Sequence, residues 1–247
     1  MDHRIIGTTM PALEITLQKG ESIVAESGEL SWMTQTIELE TSTQKGGGGG
    51  MFGAIKRIAS GGSLFMTEYT SQGGAGQVAF ATKVPGHIVE VQVSNGNEYM
   101  VHRHGFLCAT PGVELSVGFQ RSLGSGIFGG DGFRLQHVAG NCTAWIELDG
   151  EVVTYDLAPG ETLRVHPGHV GMFESTVSFD ITRIKGIKNM LFGGDGIFLA
   201  ALTGPGKVYL QTLPLPNLAH ALQQYMTGQE ATAGAAGGIV GSLLKNS

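Results

Sequence analysis

Two histidines and one glutamate hold the same place in a repeating pattern. His102 in "EYMVHRHG" and His166 in "ETLRVHPG" lie 64 residues apart, and Glu26 in "ESIVAESG" precedes His102 by 76. Two imidazoles and a carboxylate can hold zinc or iron, because both ions accept nitrogen and oxygen donors. Glu26, His102 and His166 are therefore the candidate metal ligands, on condition that their three positions meet near a common axis. The competing reading is structural. Ala25, Val101 and Val165 read as the core-facing neighbours, which turns the three polar residues to the opposite face of each strand. Other chemistry is sparse. The sequence has no Gly-x-Ser-x-Gly elbow, no His-Glu-x-x-His, no phosphate loop ending in Gly-Lys-Ser/Thr and no dinucleotide fingerprint. "GGDG" occurs at Gly129–Gly132 and again at Gly193–Gly196. A recurring Asp-Gly reads as a turn, so Asp131 and Asp195 are assigned to fold maintenance. The residues favour a protein that is not an enzyme, and no cofactor is indicated.

The elements that must carry these residues repeat as well. "LEITLQKGESIVAESG", "VEVQVSNGNEYMVHRHG" and "VTYDLAPGETLRVHPG" each begin with strict alternation: Leu13, Ile15, Leu17; Val89, Val91, Val93; Val153, Tyr155, Leu157. Alternation of this kind marks a half-buried strand. Each run reaches a turn at Lys19-Gly20, Asn95-Gly96 or Pro159-Gly160, and a second alternating run follows. Asn-Gly and Pro-Gly are turn signals, so each copy is expected to start with a β-hairpin. A second hairpin is expected in "GDGFRLQHVAGNCTAWIEL", "GDGIFLAALTGPGKVYLQT" and the more divergent "GGSLFMTEYTSQGGAGQVAFAT". Aligning Gly62, Gly132 and Gly196 puts Phe65, Leu135 and Leu199 in register. The Gly-rich segments "TQKGGGGGMFGAIKRIASGG" (43–62), "GFQRSLGSGIFGG" (118–130) and "TRIKGIKNMLFGG" (182–194) read as connections between the hairpins. The expected fold is all-β: three tandem β-sandwich repeats (about 11–82, 87–149 and 151–213) with pseudo-threefold symmetry, in one globular unit spanning 1–216. Residues 217–247 are expected to form a short C-terminal helix and a Gly/Ala-rich tail. Asn217 is its N-cap, and Leu218, Leu222, Tyr225 and Met226 are the face that docks on the β body.

Composition narrows the partners. The formal net charge is −6, and Lys56-Arg57 is the one adjacent basic pair. Arg121, Arg183, Lys185 and Lys188 complete the few cations available to a phosphate backbone, so nucleic acid is disfavoured as a partner. Cys108 and Cys142 have no metal-type spacing and read as buried, reduced thiols. No secretory pattern opens the chain and no apolar run reaches the length of a membrane-spanning helix, which points to the cytoplasm.

"GGSLFMTEYT" (61–70), "KVPGHIVEV" (83–91) and "VYLQTLPLPNLAHAL" (208–222) resemble the family labelled domain of unknown function 124 (DUF124), also called the altered-inheritance-of-mitochondria family. The resemblance runs from about Ile15 to Leu222. It implies a triplicated fold similar to the tryptophan RNA-binding attenuator protein (TRAP-like) and a bacterial member that self-associates, as a trimer in one form. It carries no catalytic residues. The functional expectation is a non-enzymatic scaffold or interaction protein, a homo-oligomer, with a protein or membrane-surface partner and a link to membrane organisation by family resemblance. The alternative is a small-molecule or metal-binding protein that uses Glu26, His102 and His166.

Overall fold

Apolar side chains at every second position form strands when a second layer covers one face. Most of the described residues do so. The structure is a computed structural model that describes residues 1–42, 66–121, 132–184, 197–215, 217–219, 221, 222 and 225. Among them a lone strand β1 (Asp2–Ile6) precedes three sets of six. The first set is β2 (Ala12–Leu17), β3 (Ser22–Glu26), β4 (Trp32–Met33), β5 (Ile37–Ser42), β6 (Met66–Ser71) and β7 (Gly76–Ala81). The second is β8 (Gly86–Val93), β9 (Tyr99–His102), β10 (Phe106–Ala109), β11 (Val113–Arg121), β12 (Phe133–Gly140) and β13 (Cys142–Asp149). The third is β14 (Val152–Leu157), β15 (Thr162–Val165), β16 (Val170–Glu174), β17 (Ser178–Ile184), β18 (Ile197–Thr203) and β19 (Gly206–Gln211), with a 3-10 turn at Pro167–His169. No helix among the described residues is long and apolar enough to cross a membrane.

The strands form four antiparallel sheets, ordered β1-β2-β7-β4, β5-β6-β3-β10-β13-β8, β11-β12-β9-β16-β19-β14 and β15-β18-β17. Each six-stranded sheet takes three strands from one set and three from the next, in the same order. Its midline is the pairing of a set's second strand with the following set's third. Ala25 faces Cys108 at one junction, and Val101 faces Met172 at the other. Each set wraps its own core, with side chains borrowed across the junction. Leu13, Ile15, Leu17, Val78 and Phe80 cluster with Cys108 and Trp145 of the second set. Val91, Val101, Val138 and Ile146 cluster with Met172 of the third.

The alternating runs are strands as the sequence predicts, but the expected hairpins are not there. β2 pairs with β1 and β7, while β3 pairs with β6 and β10. β8 and β9 likewise lie in different sheets, as do β14 and β15, β12 and β13, and β18 and β19. The tight turns at Gly20, Gly96 and Gly160 therefore carry the chain from one sheet to the other. Their positive φ values (84°, 83° and 80°) match the turn chemistry, but turn chemistry does not dictate which sheet the next strand joins. Besides β1–β2, the hairpins among the described residues are β5–β6, β11–β12 and β17–β18. These are the strands that the Gly-rich segments join, so those segments close hairpins instead of linking them. β11 and β17 extend into the expected connections, as far as Arg121 and Ile184; the rest of the segments, with Asp131 and Asp195, fall outside the described residues.

Three further expectations change. Met66 faces Glu26 as Leu135 faces His102, so Met66, not Phe65, is the counterpart of Leu135. The one-residue slip exchanges the faces of that strand. Val153 and Tyr155 are exposed on the edge strand β14, and Leu157 alone of that alternating trio is buried. Residues 215, 217–219, 221, 222 and 225 are helical, but Leu222 is 54% and Tyr225 84% exposed, so the expected docking face is uncovered there. Met226 lies outside the described residues.

Candidate functional site

β13 sits inside its six-stranded sheet, and every residue from Ala144 to Asp149 is buried. Two of them are acids. Glu147 and Asp149 are two apart, so they leave the strand on one face. That face lines a cavity of about 120 Å³ to which all three sets contribute. Lys83, after β7, comes from the first; His102, Arg103 and His104 cross the β9–β10 turn of the second; Gly168 and Gln211 belong to the third.

Glu147 and Gln211 close equivalent strands, 64 residues apart, and use the same bond. The Lys83 N–H donates to Glu147 Oε1 at 2.8 Å, and the Asp149 N–H donates to Gln211 Oε1 at 3.0 Å. The remaining atoms differ. Gln211 Nε2 donates to the Gly168 carbonyl at 3.1 Å. Glu147 Oε2 has no hydrogen-bond partner, although the residue is only 2% exposed. Lys83 Nζ is 3.8 Å from it and pairs more closely, at 2.7 Å, with Glu29. Burial raises the Glu147 carboxyl above the usual range, against the pull of the Lys83 N–H. Burial also raises Asp149, partly offset by the Leu215 N–H.

His102 and His169 bond backbone carbonyls at equivalent positions. His102 Nε2 bonds the Glu147 carbonyl at 2.9 Å, and burial pulls the imidazole down to about 4, so the neutral ring donates this bond. In the third set the corresponding carbonyl, of Gln211, bonds His169 Nδ1 at 2.8 Å. His166 meets His169 edge-on, with ring centroids 5.9 Å apart. Glu26 accepts a hydrogen bond from Gln136 Nε2, and burial raises its carboxyl. Glu26, His102 and His166 do stand at the same end of equivalent strands. Those strands belong to three different sheets, however, and each residue is engaged by its own neighbours. Among the described residues, no three His, Cys, Asp or Glu side chains are grouped to hold a metal.

The sequence reading passed over Glu147, Asp149 and Lys83. The available signal was a pair of acids in the otherwise apolar run "CTAWIELD", with a Gln at the repeat-equivalent of the first. Both cysteines are buried and free, and burial raises both thiols, Cys142 to about 11. Of the scattered cations, Arg121 contacts Asp180 and the Ile181 carbonyl. Lys56, Arg57, Lys185 and Lys188 lie outside the described residues.

Strand order and cavity together define a class: an all-β protein of successive six-strand sets that share their sheets. The chain belongs to the mitochondrial biogenesis AIM24 family, which it matches over residues 3–213. It is 29% identical over 222 residues to an uncharacterised protein of Streptococcus pyogenes serotype M6, covering 87% of each chain. It is also similar to the crystal structure of protein SPYM3_0169 from Streptococcus pyogenes, with a TM-score of 0.70 and 26% identity over 91% of this chain and 99% of that one.

Proposed function

We propose that this AIM24-family chain is a non-enzymatic interaction scaffold that assembles with further copies of itself. The observation that carries the reading is a pair of strand edges that no strand among the described residues matches. Second and third strands pair at both internal junctions, which leaves β4 of the first set and β15 of the third as outer strands of their sheets. Trp32 faces Ala79 as Cys108 faces Trp145 and Met172 faces Tyr209, so these three are equivalent. Cys108 and Met172 are fully buried by their junction partners, whereas Trp32 is 48% and its neighbour Met33 37% exposed. Ile5, Ile6 and Met10 are exposed on the same sheet or the turn after β1. An unpaired edge beside apolar side chains is a site for strand addition. The repeated strand order also supports a serial arrangement of the sets, which leaves β4 and β15 as outer strands for neighbouring copies to pair.

The internal junctions supply the register: Ala25 and Val101 correspond to Val165, so Trp32 of one copy should lie opposite Val165 of the next. In Trp32→Cys/Val165→Cys, mild oxidation is expected to join separate chains covalently, and Trp32→Glu is expected to lower the mass seen by native mass spectrometry. A disulfide formed within single chains, or a wild type that is monomeric at all concentrations, would overturn the assembly.

A further inference from the structure

We propose that the cavity beneath Glu147 binds a small carboxylate that also carries a hydrogen-bond donor, of the hydroxy-acid or amino-acid type. Its volume has room for several heavy atoms, more than a single bridging water needs. Its wall is mixed in charge. Glu147 and Asp149 line one part, and Lys83, Arg103 and Arg134 are also in the lining. A ligand that is only anionic would face two buried carboxyls, and one that is only cationic would face three basic side chains. A molecule bearing both a donor and a carboxylate satisfies both parts.

Glu147 places the donor. Its Oε2 is buried and lacks a hydrogen bond, which is costly for a carboxylate oxygen. The equivalent position shows how the fold settles this when no ligand is required. Gln211 has an amide at the same place and donates it to a backbone carbonyl. A glutamate here forgoes that internal bond and leaves an acceptor for an incoming hydroxyl or ammonium. The carboxylate of the ligand then goes to Lys83 or Arg134 in the same lining. Val84, Phe133, Pro167, Val170 and Leu215 supply apolar wall for a short side group.

Isothermal titration of the whole chain tests the assignment with four probes: L-lactate, L-serine, acetate and ethanolamine. Lactate and serine carry both groups; acetate lacks the donor and ethanolamine lacks the carboxylate. Binding of lactate or serine at least about tenfold tighter than of either truncated probe is expected, the factor one charge-assisted hydrogen bond commands. Glu147→Gln is the companion variant. It keeps the acceptor for the Lys83 N–H and gains the donor that Gln211 uses. Its melting temperature is expected to hold or rise while binding of lactate or serine falls about tenfold. Equal binding of acetate, no binding of any probe, or undiminished binding by a folded Glu147→Gln would each overturn the proposal. None of these outcomes depends on whether copies associate through β4.

Discussion

Glu147 and His102 respond to acid in opposite directions. The His102 imidazole is near 6.5 when unfolded and about 4 in the fold, so between those values the unfolded chain binds the proton first. Its contribution is present above about 6.5 and is lost as pH falls through that window, by about 3 kcal/mol in all. Glu26, Glu147 and Asp149 are raised, so their contributions are full below the usual carboxylate range and are lost as pH rises through their shifted values. In His102→Gln an amide N–H can still reach the Glu147 carbonyl, but no ring is left to titrate. Denaturant unfolding on either side of the window should show this variant losing less stability on acidification than the wild type. Gly105 is the second sensitive residue. A Cβ there would come within 2.6 Å of the His102 ring and 2.7 Å of the Val101 side chain. Gly105→Ala should cost about 1–3 kcal/mol through forced shifts of the ring or backbone, measurable by equilibrium unfolding. At this scale spacing in the sequence points to equivalent residues where copies keep their length, as at His102 and His166, and slips by one where they do not, as at Met66. It does not show what they touch. Glu26, His102 and His166 share a register position, yet each is engaged by neighbours of its own. Glu147 draws no notice in sequence because its significance lies in a missing bond.

Single strands are more legible than their pairings. Alternation at Leu13–Leu17 and Val89–Val93 identifies the strands because it reports which face is buried, and a buried face needs only some covering layer. It says nothing about which strand lies alongside. The same positive-φ glycine serves a hairpin or a crossing between sheets, and here Gly20, Gly96 and Gly160 all cross. None of the three has another atom within 4 Å of an added Cβ, so substitution would meet backbone strain alone. Alanine at each should therefore cost about the same, 1–2 kcal/mol, in urea titrations. Unequal costs would show that one turn carries contacts the others lack. β1 and β4 escaped the sequence reading for a related reason. "DHRII" is exposed along its whole length and two-residue β4 is too short to show a period, so neither carries the apolar pattern that marks a strand.

The whole molecule has no dividing line at the boundaries of its repeats. A cut after Gly150 would leave β9 without β16 and remove Met172 from the core of the second set. A cut before Gly86 would take Cys108 and Trp145 from the core of the first. Scanning calorimetry of the intact chain should therefore show one cooperative transition, not three. The fragment 1–150 should bind a hydrophobic dye and lack a sharp melt. A fragment that unfolds reversibly with a calorimetric enthalpy proportional to its length would contradict this coupling. A recurring spacing of alternating runs was visible in sequence, and the strand order recurs in the two six-stranded sheets. Interleaving was not, since nothing in a strand's own residues says that its partner belongs to the next repeat.

The shared sheets also order events during synthesis. When the first repeat leaves the ribosome, β3 has β6 beside it but must wait for β10, which is made only after the Gly86–Val93 and Tyr99–His102 strands. β9 must wait in turn for β16. The folded front trails the growing end by most of a repeat, and an unsatisfied strand edge travels with it. A nascent chain stalled anywhere before the end of β19 is incomplete at its leading edge, where chaperones that hold extended segments would find it.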